Sequence, residues 1–183
     1  MILYLGDKEL FDFIYNLTEN ISMDITLSEA DKVIVSEHTH NAVSLIRYAA
    51  EANIPVLGIL DGYTSVAEAF DAECLHIENC SEGKQELAIL DTTVPLHKNL
   101  GHVMPICRGN PLALSEDSMS NLLDCIARSE EGEIIAFSHK SVNGETNIFA
   151  VNYYINSTLT QYGETVLANF INLEQSGFAA ADF

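Results

Sequence analysis

The chain has 183 residues, 48% of them hydrophobic, with 8 basic side chains against 27 acidic ones and a formal charge of −19. That length and apolar content suit one globular domain with a sizeable core. The acidity repels polyanionic duplexes and anionic lipid surfaces, so neither nucleic acid nor membrane is expected as a partner; it reads as solubility or a saline habitat before it reads as a recognition surface.

The opening stretch, Met1 to Asp7, has no basic region, and its apolar run is too short for a signal peptide or a membrane span. Cys74, Cys80, Cys107 and Cys125 set no disulfide framework, which agrees with a reducing compartment. A cytoplasmic protein is expected.

Ile2-Leu3-Tyr4-Leu5 reads as a first strand, and Leu10, Phe11, Ile14, Leu17 and Ile21 recur after it at helical spacing. A break from Ser22 to Ala30 precedes a second short buried strand, Val33-Ile34-Val35, closed by Ser36-Glu37-His38-Thr39-His40. Asn41 is placed to cap the next helix, whose Val43, Ile46, Ala49 and Ala50 form one stripe. Pro55 then opens Val56-Leu57-Gly58-Ile59-Leu60, apolar on both faces like a strand buried in a parallel sheet. Asp61-Gly62 permits a positive-φ turn, and Ser65 with Glu68 supplies a capping box for a helix carrying Val66, Ala69 and Phe70 inward.

From Cys74 to Val151 the pattern changes to short β-like runs: 87–90, 103–106, 122–127, 134–137 and 147–151. Turns separate them, notably Glu130-Glu131-Gly132 and the hairpin signal Asn143-Gly144. A last helix runs from about Leu159 to Leu173, with Val166, Leu167, Phe170 and Ile171 inward, before a frayed tail from Glu174 to Phe183. Alternating strand and helix predict a parallel, doubly wound α/β core with an antiparallel layer appended, a single domain over 1–173 and a C-terminal tail over 174–183.

Several segments resemble one family in the same order. Gly58-Ile59-Leu60-Asp61-Gly62-Tyr63-Thr64 is similar to the nucleophile elbow of class I glutamine amidotransferases, Gly-x-Cys-x-Gly-His-Gln, with leucine at the cysteine position. Phe11, Tyr15, Asn16 and Leu17 echo that family's Phe-x-Tyr-Asn-Leu with the Phe one residue further away, Ala67-Glu68-Ala69-Phe70 its Ala-Gln-Ala-Phe, Gly83-Lys84 its Gly-Lys before a strand, and Leu167 to Ile171 its closing helix. The chain thus resembles component II, the glutaminase subunit, of anthranilate and aminodeoxychorismate synthases. The resemblance implies a single-domain, flavodoxin-like three-layer sandwich.

The family's chemistry needs a thiolate, a histidine that moves the proton, a carboxylate that orients it and backbone donors for the oxyanion. On this resemblance the triad positions hold Leu60, Tyr154 and Asn156, none of which can serve. The oxyanion loop falls on Ser36 to His40, with no glycine to let the backbone approach a substrate. The glutamine-holding positions fall on Thr64 and on Gly109-Asn110-Pro111-Leu112. What remains as a vestigial pocket is Asp61, Gly62, Tyr63, Thr64, Glu37 and Asn110, flanked by Tyr63, Tyr153 and Tyr154, which either fill it with Leu60 or line a smaller cleft.

Other polar groupings carry less. Cys74, His76 and Glu78 would share one face of a strand near Cys80, but zinc sites pair cysteines at closer spacing with a distant second pair, so no metal is expected. His38 and His40 alternate at a strand end and are expected to lack the nearby carboxylate or cysteine that a metal site needs, His97 and His102 sit in a polar loop and are expected to be solvated, and Ser138 and His139 point to opposite faces of a strand. The expected protein is a catalytically inactive amidotransferase-like subunit, without cofactor, that binds a synthase-type subunit or a second copy of itself. A hydrolase or amidotransferase repurposed around Asp61 or Thr64, and a small-molecule sensor, are the alternatives.

Overall fold

The computed structural model describes residues 1–80, 82–140 and 147–174. Strand and helix alternate through the first part: β1 (Ile2–Leu5), α1 (Lys8–Leu17), β2 (Ile21–Ser22), β3 (Lys32–Val35), α2 (His40–Glu51), β4 (Val56–Ile59) and α3 (Asp61–Ala69). Then follow β5 (Leu75–His76), β6 (Gln85–Leu90), β7 (Val103–Cys107), β8 (Leu112–Ala113), β9 (Leu123–Ser129), β10 (Ile134–His139), β11 (Ile148–Val151) and α4 (Gly163–Ile171).

One nine-stranded sheet runs β2-β1-β3-β4-β11-β10-β9-β6-β7, while β5 and β8 form a separate ribbon. Neighbours from β2 to β11 are parallel, and those from β11 to β7 antiparallel. The antiparallel strands therefore continue the parallel core edge to edge. Because side chains alternate along a strand, Ile2 and Tyr4 enter the core beneath α1 and α4, with Leu57, Ile59, Ile14 and Phe170, whereas Leu3 enters the core beneath α2 and α3, with Val56, Ile46 and Val66. The outcome is the three-layer α/β sandwich expected.

Several local expectations change. The run at 147–151 was expected among the antiparallel additions, yet β11 pairs parallel with β4, Ile148 opposite Val56 and Val151 opposite Ile59. An all-apolar strand buried on both faces belongs at the sheet centre, and the β5 to β10 excursion returns the chain there. Helix α1 stops at Leu17, and Ile21 sits in β2. Thr39, not Asn41, caps α2, its hydroxyl accepting from the Ala42 N–H at 3.1 Å. Helix α3 starts at Asp61, so Ser65 is interior and its hydroxyl donates to the Glu37 carbonyl at 2.7 Å instead of capping. Helix α4 starts at Gly163, later than Leu159. The turn at Glu130 to Gly132 joins β9 to β10 as expected, with Gly132 at φ 88. Asn143-Gly144 and the tail beyond Glu174 lie outside the described residues.

Two buried polar groups constrain the fold's pH and charge response. Arg108, fully buried just after β7, places Nη1 2.9 Å from Glu86 and 2.7 Å from Glu133. A guanidinium removed from water needs such partners, and removing it would strand two carboxylates. His97, expected in solvent, is instead fully buried, because its turn is held on α4 by Asn169, whose amide donates to the Leu96 and Lys98 carbonyls. Its Nδ1–H donates to the Asp91 carbonyl at 2.8 Å, and burial pushes its pKa below the ordinary 6.5.

Arg108→Met should cost about 3–5 kcal/mol in urea unfolding at neutral pH, the magnitude of breaking a buried ion pair. For His97, the unfolded chain takes up a proton at a higher pH than the folded one. Stability should therefore be fully present above the unfolded value of 6.5 and fall as pH drops through the lower folded value. His97→Phe should flatten that slope in thermal melts recorded across this range.

Candidate functional site at the end of the fourth strand

All four residues of β4 are buried, and the chain turns at Leu60 directly into α3. Leu60 has φ 57 and ψ −111. Positive φ is costly for a residue with a branched side chain, so the turn is made by Leu60 itself and not by Asp61-Gly62 as expected. Its backbone is over-determined: the Leu60 N–H donates to the Val151 carbonyl at 3.0 Å, and the Leu60 carbonyl accepts from the Tyr63 N–H at 2.9 Å.

The two glycines have a different task. A Cβ at Gly62 would stand 1.8 Å from the Val35 carbonyl oxygen, and one at Gly58 would stand 2.4 Å from the Gly62 carbonyl oxygen. They let the start of α3 press against β4 and the end of β3.

At the apex, the Leu60 side chain closes on Gly109, where an added Cβ would lie 2.8 Å from Leu60 Cδ2 and 2.2 Å from Asn152 Oδ1. Asn110 donates to Asp61 Oδ1 at 2.9 Å and uses its own Oδ1 to accept from the Leu112 N–H at 3.1 Å. Asn152, wholly buried just beyond β11, donates to the Asn110 carbonyl at 3.1 Å and to the Leu112 carbonyl. Amide groups thus latch segment 109–112 across the elbow. Asn152 escaped the sequence reading, although a polar residue directly after a four-residue apolar strand was its signal.

The candidate residues do not converge. Asp61 and Asn110 are joined, but Gly62 is buried behind the apex. Tyr63 does not flank the site: it is fully buried, donates its hydroxyl to the Ile134 carbonyl at 2.6 Å, accepts from the Leu114 N–H at 3.0 Å and meets Phe137 edge-on at 4.8 Å. The Thr64 hydroxyl is buried beside Cys74, whose thiol is pushed up to about 12 by burial and stays protonated at neutral pH. The Glu37 carbonyl takes Ser65, and its carboxylate accepts from Thr39 at 3.2 Å.

Tyr153 is wholly buried, with its pKa raised by burial. Tyr154 is half-buried, and its phenol is raised by burial and by the nearby Glu82, Cys107 and Asp61. Asn156 lines a separate cleft beside α1 and α4.

The histidines read as lacking a carboxylate need one correction. His38 Nε2 lies 2.7 Å from Glu68 Oε2, a carboxylate in the last turn of α3 that is distant in sequence and near in space. His40 opens α2 and is exposed, and His139 stacks on Phe70 at 4.1 Å. Among the described residues, no group of three His, Cys, Asp or Glu side chains is arranged to hold a metal ion.

The elbow, the element order and the sheet topology correspond to a family that sequence comparison also reports. The profile of the glutamine amidotransferase class-I family matches residues 12–173. The chain belongs to that family. Among curated relatives, it is 23% identical to the bifunctional protein TrpGD of Thermotoga maritima, over 88% of this chain and 31% of that protein. It is 24% identical to aminodeoxychorismate synthase component 2 of Escherichia coli, over 81% of this chain and 80% of that protein. The chain therefore spans about a third of the first and most of the second. Among solved folds, a glutamine amidotransferase from Thermotoga maritima superposes with a TM-score of 0.68 at 13% identity, covering 93% of this chain and 80% of the other.

Gly62→Ala should destabilise the amidotransferase fold by about 1–3 kcal/mol or more, since the new methyl meets backbone and not a movable side chain. Gly83→Ala, where nothing lies within 4 Å but φ is 72, supplies the comparison: its cost should be the strain of positive φ alone. Chemical denaturation of both variants checks the difference.

Proposed function

We propose that this protein is a catalytically inert class I amidotransferase-like subunit that acts by binding a partner. The observation carrying this reading is the apex itself: Leu60 stands on the elbow, hydrocarbon against Gly109, with segment 109–112 latched over it. Leucine offers no lone pair for attack on an amide carbon and no proton to transfer. Tyr154 and Asn156, read as the base and orienting positions, supply neither imidazole nor carboxylate. The carboxylate at the apex, Asp61, is engaged by Asn110.

The partner we propose is a synthase-type subunit or a second copy of this chain. Relatives carry names such as anthranilate synthase component 2 and aminodeoxychorismate synthase component 2, that is, components of larger enzymes. A scaffold that keeps its elbow, helices and sheet without the reactive groups suits a role in association over one in catalysis. No helix among the described residues is long and apolar enough to cross a membrane, and all four cysteines are free. Those thiols support a reducing, cytoplasmic setting.

Purified protein incubated with glutamine should release no ammonia above the buffer rate. Leu60→Cys should remain equally inactive, because the thiol gains no base. Ammonia release by the native chain that disappears in Asp61→Asn would overturn the inert reading in favour of a repurposed elbow.

A further inference from the structure

A cleft of about 460 Å³ opens between α1, the segment after β11 and the start of α4. None of Leu60, Asp61, Gly62, Tyr63, Thr64 or Tyr154 lines it, so it is separate from the elbow. Its size falls in the ordinary range of small-molecule sites, about 300–1,000 Å³.

The backbone around it is fixed by main-chain and hydroxyl contacts within and beside its wall. The Thr160 hydroxyl donates to the Tyr154 carbonyl at 2.6 Å and accepts from the Cys107 N–H at 2.9 Å. The Gln161 N–H donates to the Pro105 carbonyl at 2.9 Å. Gly163 sets the start of α4 so near the segment that a Cβ there would lie 2.0 Å from the Ile155 carbonyl oxygen.

The side chains that remain in the cleft are not used in this way. Phe13 and Ile155 supply apolar wall, while Asn156, Thr158, Glu164 and Thr165 have no side-chain hydrogen-bond partner among the described residues. Hydroxyls and an amide both donate and accept, and the carboxylate accepts. No Lys, Arg or His lines the cleft, and the chain carries −19, so an anionic ligand finds no counter-charge. A ligand matched to this lining is uncharged, rich in hydroxyl groups and able to lay a C–H face on an aromatic ring.

We propose that this cleft is a binding site for a neutral polyhydroxylated small molecule of the sugar class. A rigid main chain with uncommitted donors and acceptors reduces the ordering cost of binding. Glu164, in the first turn of α4, takes hydroxyl donors that Thr158 and Thr165 cannot saturate.

Methyl β-glucoside titrated into isotope-labelled native protein, followed by two-dimensional NMR, tests the site. Amide resonances of 155–165 and of Phe13 should shift saturably, while those of 58–64 and 108–112 stay in place. Thr165→Val and Phe13→Ala should each weaken the apparent affinity about tenfold, as expected for one lost contact. Sorbitol, with hydroxyls but no ring face, should bind more weakly than the glucoside. Shifts that never saturate, or that persist unchanged in Thr165→Val, would overturn the site. Neither result bears on ammonia release, so failure here leaves the reading of the elbow standing.

Discussion

The junction of β4 and α3 is a backbone-to-backbone contact, and most of the molecule's arrangement depends on it. Two glycines allow the first turn of α3 to lie against the strand that precedes it and against the end of β3. Side-chain volume at either position would separate the helix from the sheet by more than rotamer changes can absorb, because the colliding atoms are carbonyl groups. The approach also brings Ser65 to Glu37 and Glu68 to His38, so the segment after β3 takes its shape from α3 as much as from its own residues.

The sheet distributes this constraint. β4 lies between β3 and β11, and the Leu60 N–H is received by Val151, the last residue of β11. Just beyond, Asn152 binds segment 109–112, and Arg108 bridges to Tyr153 while holding Glu86 and Glu133. The chain from β4 to α3 is thus tied to the antiparallel strands through Asn152 and Arg108, both wholly removed from solvent. In low dielectric, such groups are costly when unpaired and rigid when paired, which makes the region specific in geometry.

Much of this was legible in the residues. The short apolar runs placed β1, β3 and β4, and the elbow was marked by the Asp61-Gly62 stop and by the resemblance of the stretch from Gly58 to Gly62 to the family's Gly-x-Cys-x-Gly. Hydrophobic period could not tell that β11 returns to the parallel core, since a buried apolar strand reads alike in either direction. The helix start was misplaced because Ser65 and Glu68 have cap spacing, whereas tertiary contacts with Glu37 and His38 claim them. Tyr63 was drawn to the site by adjacency to the apex, although a helix sends consecutive residues in different directions and this one enters the core. Asn152 and Arg108 act across long sequence separations, and no local pattern announces their partners.

Leu60 bears on what the elbow is for. A non-glycine residue at φ 57 stores roughly 1–3 kcal/mol of backbone strain, which persists only where the surrounding structure over-determines it; at an active site that geometry serves chemistry at the exposed side chain. Leucine supplies none, and glycine would relieve the strain. The side chain instead fills the space over Gly109 and joins the core beneath α1 and α4 as a partly buried neighbour, contributing burial on the order of 1–2 kcal/mol. The two magnitudes are comparable, so hydrocarbon at the apex can offset the strain without any reaction. The strain at this strand-to-helix turn is thus met by packing around it, and the side chain standing on such a turn decides whether its geometry serves bond-making or packing.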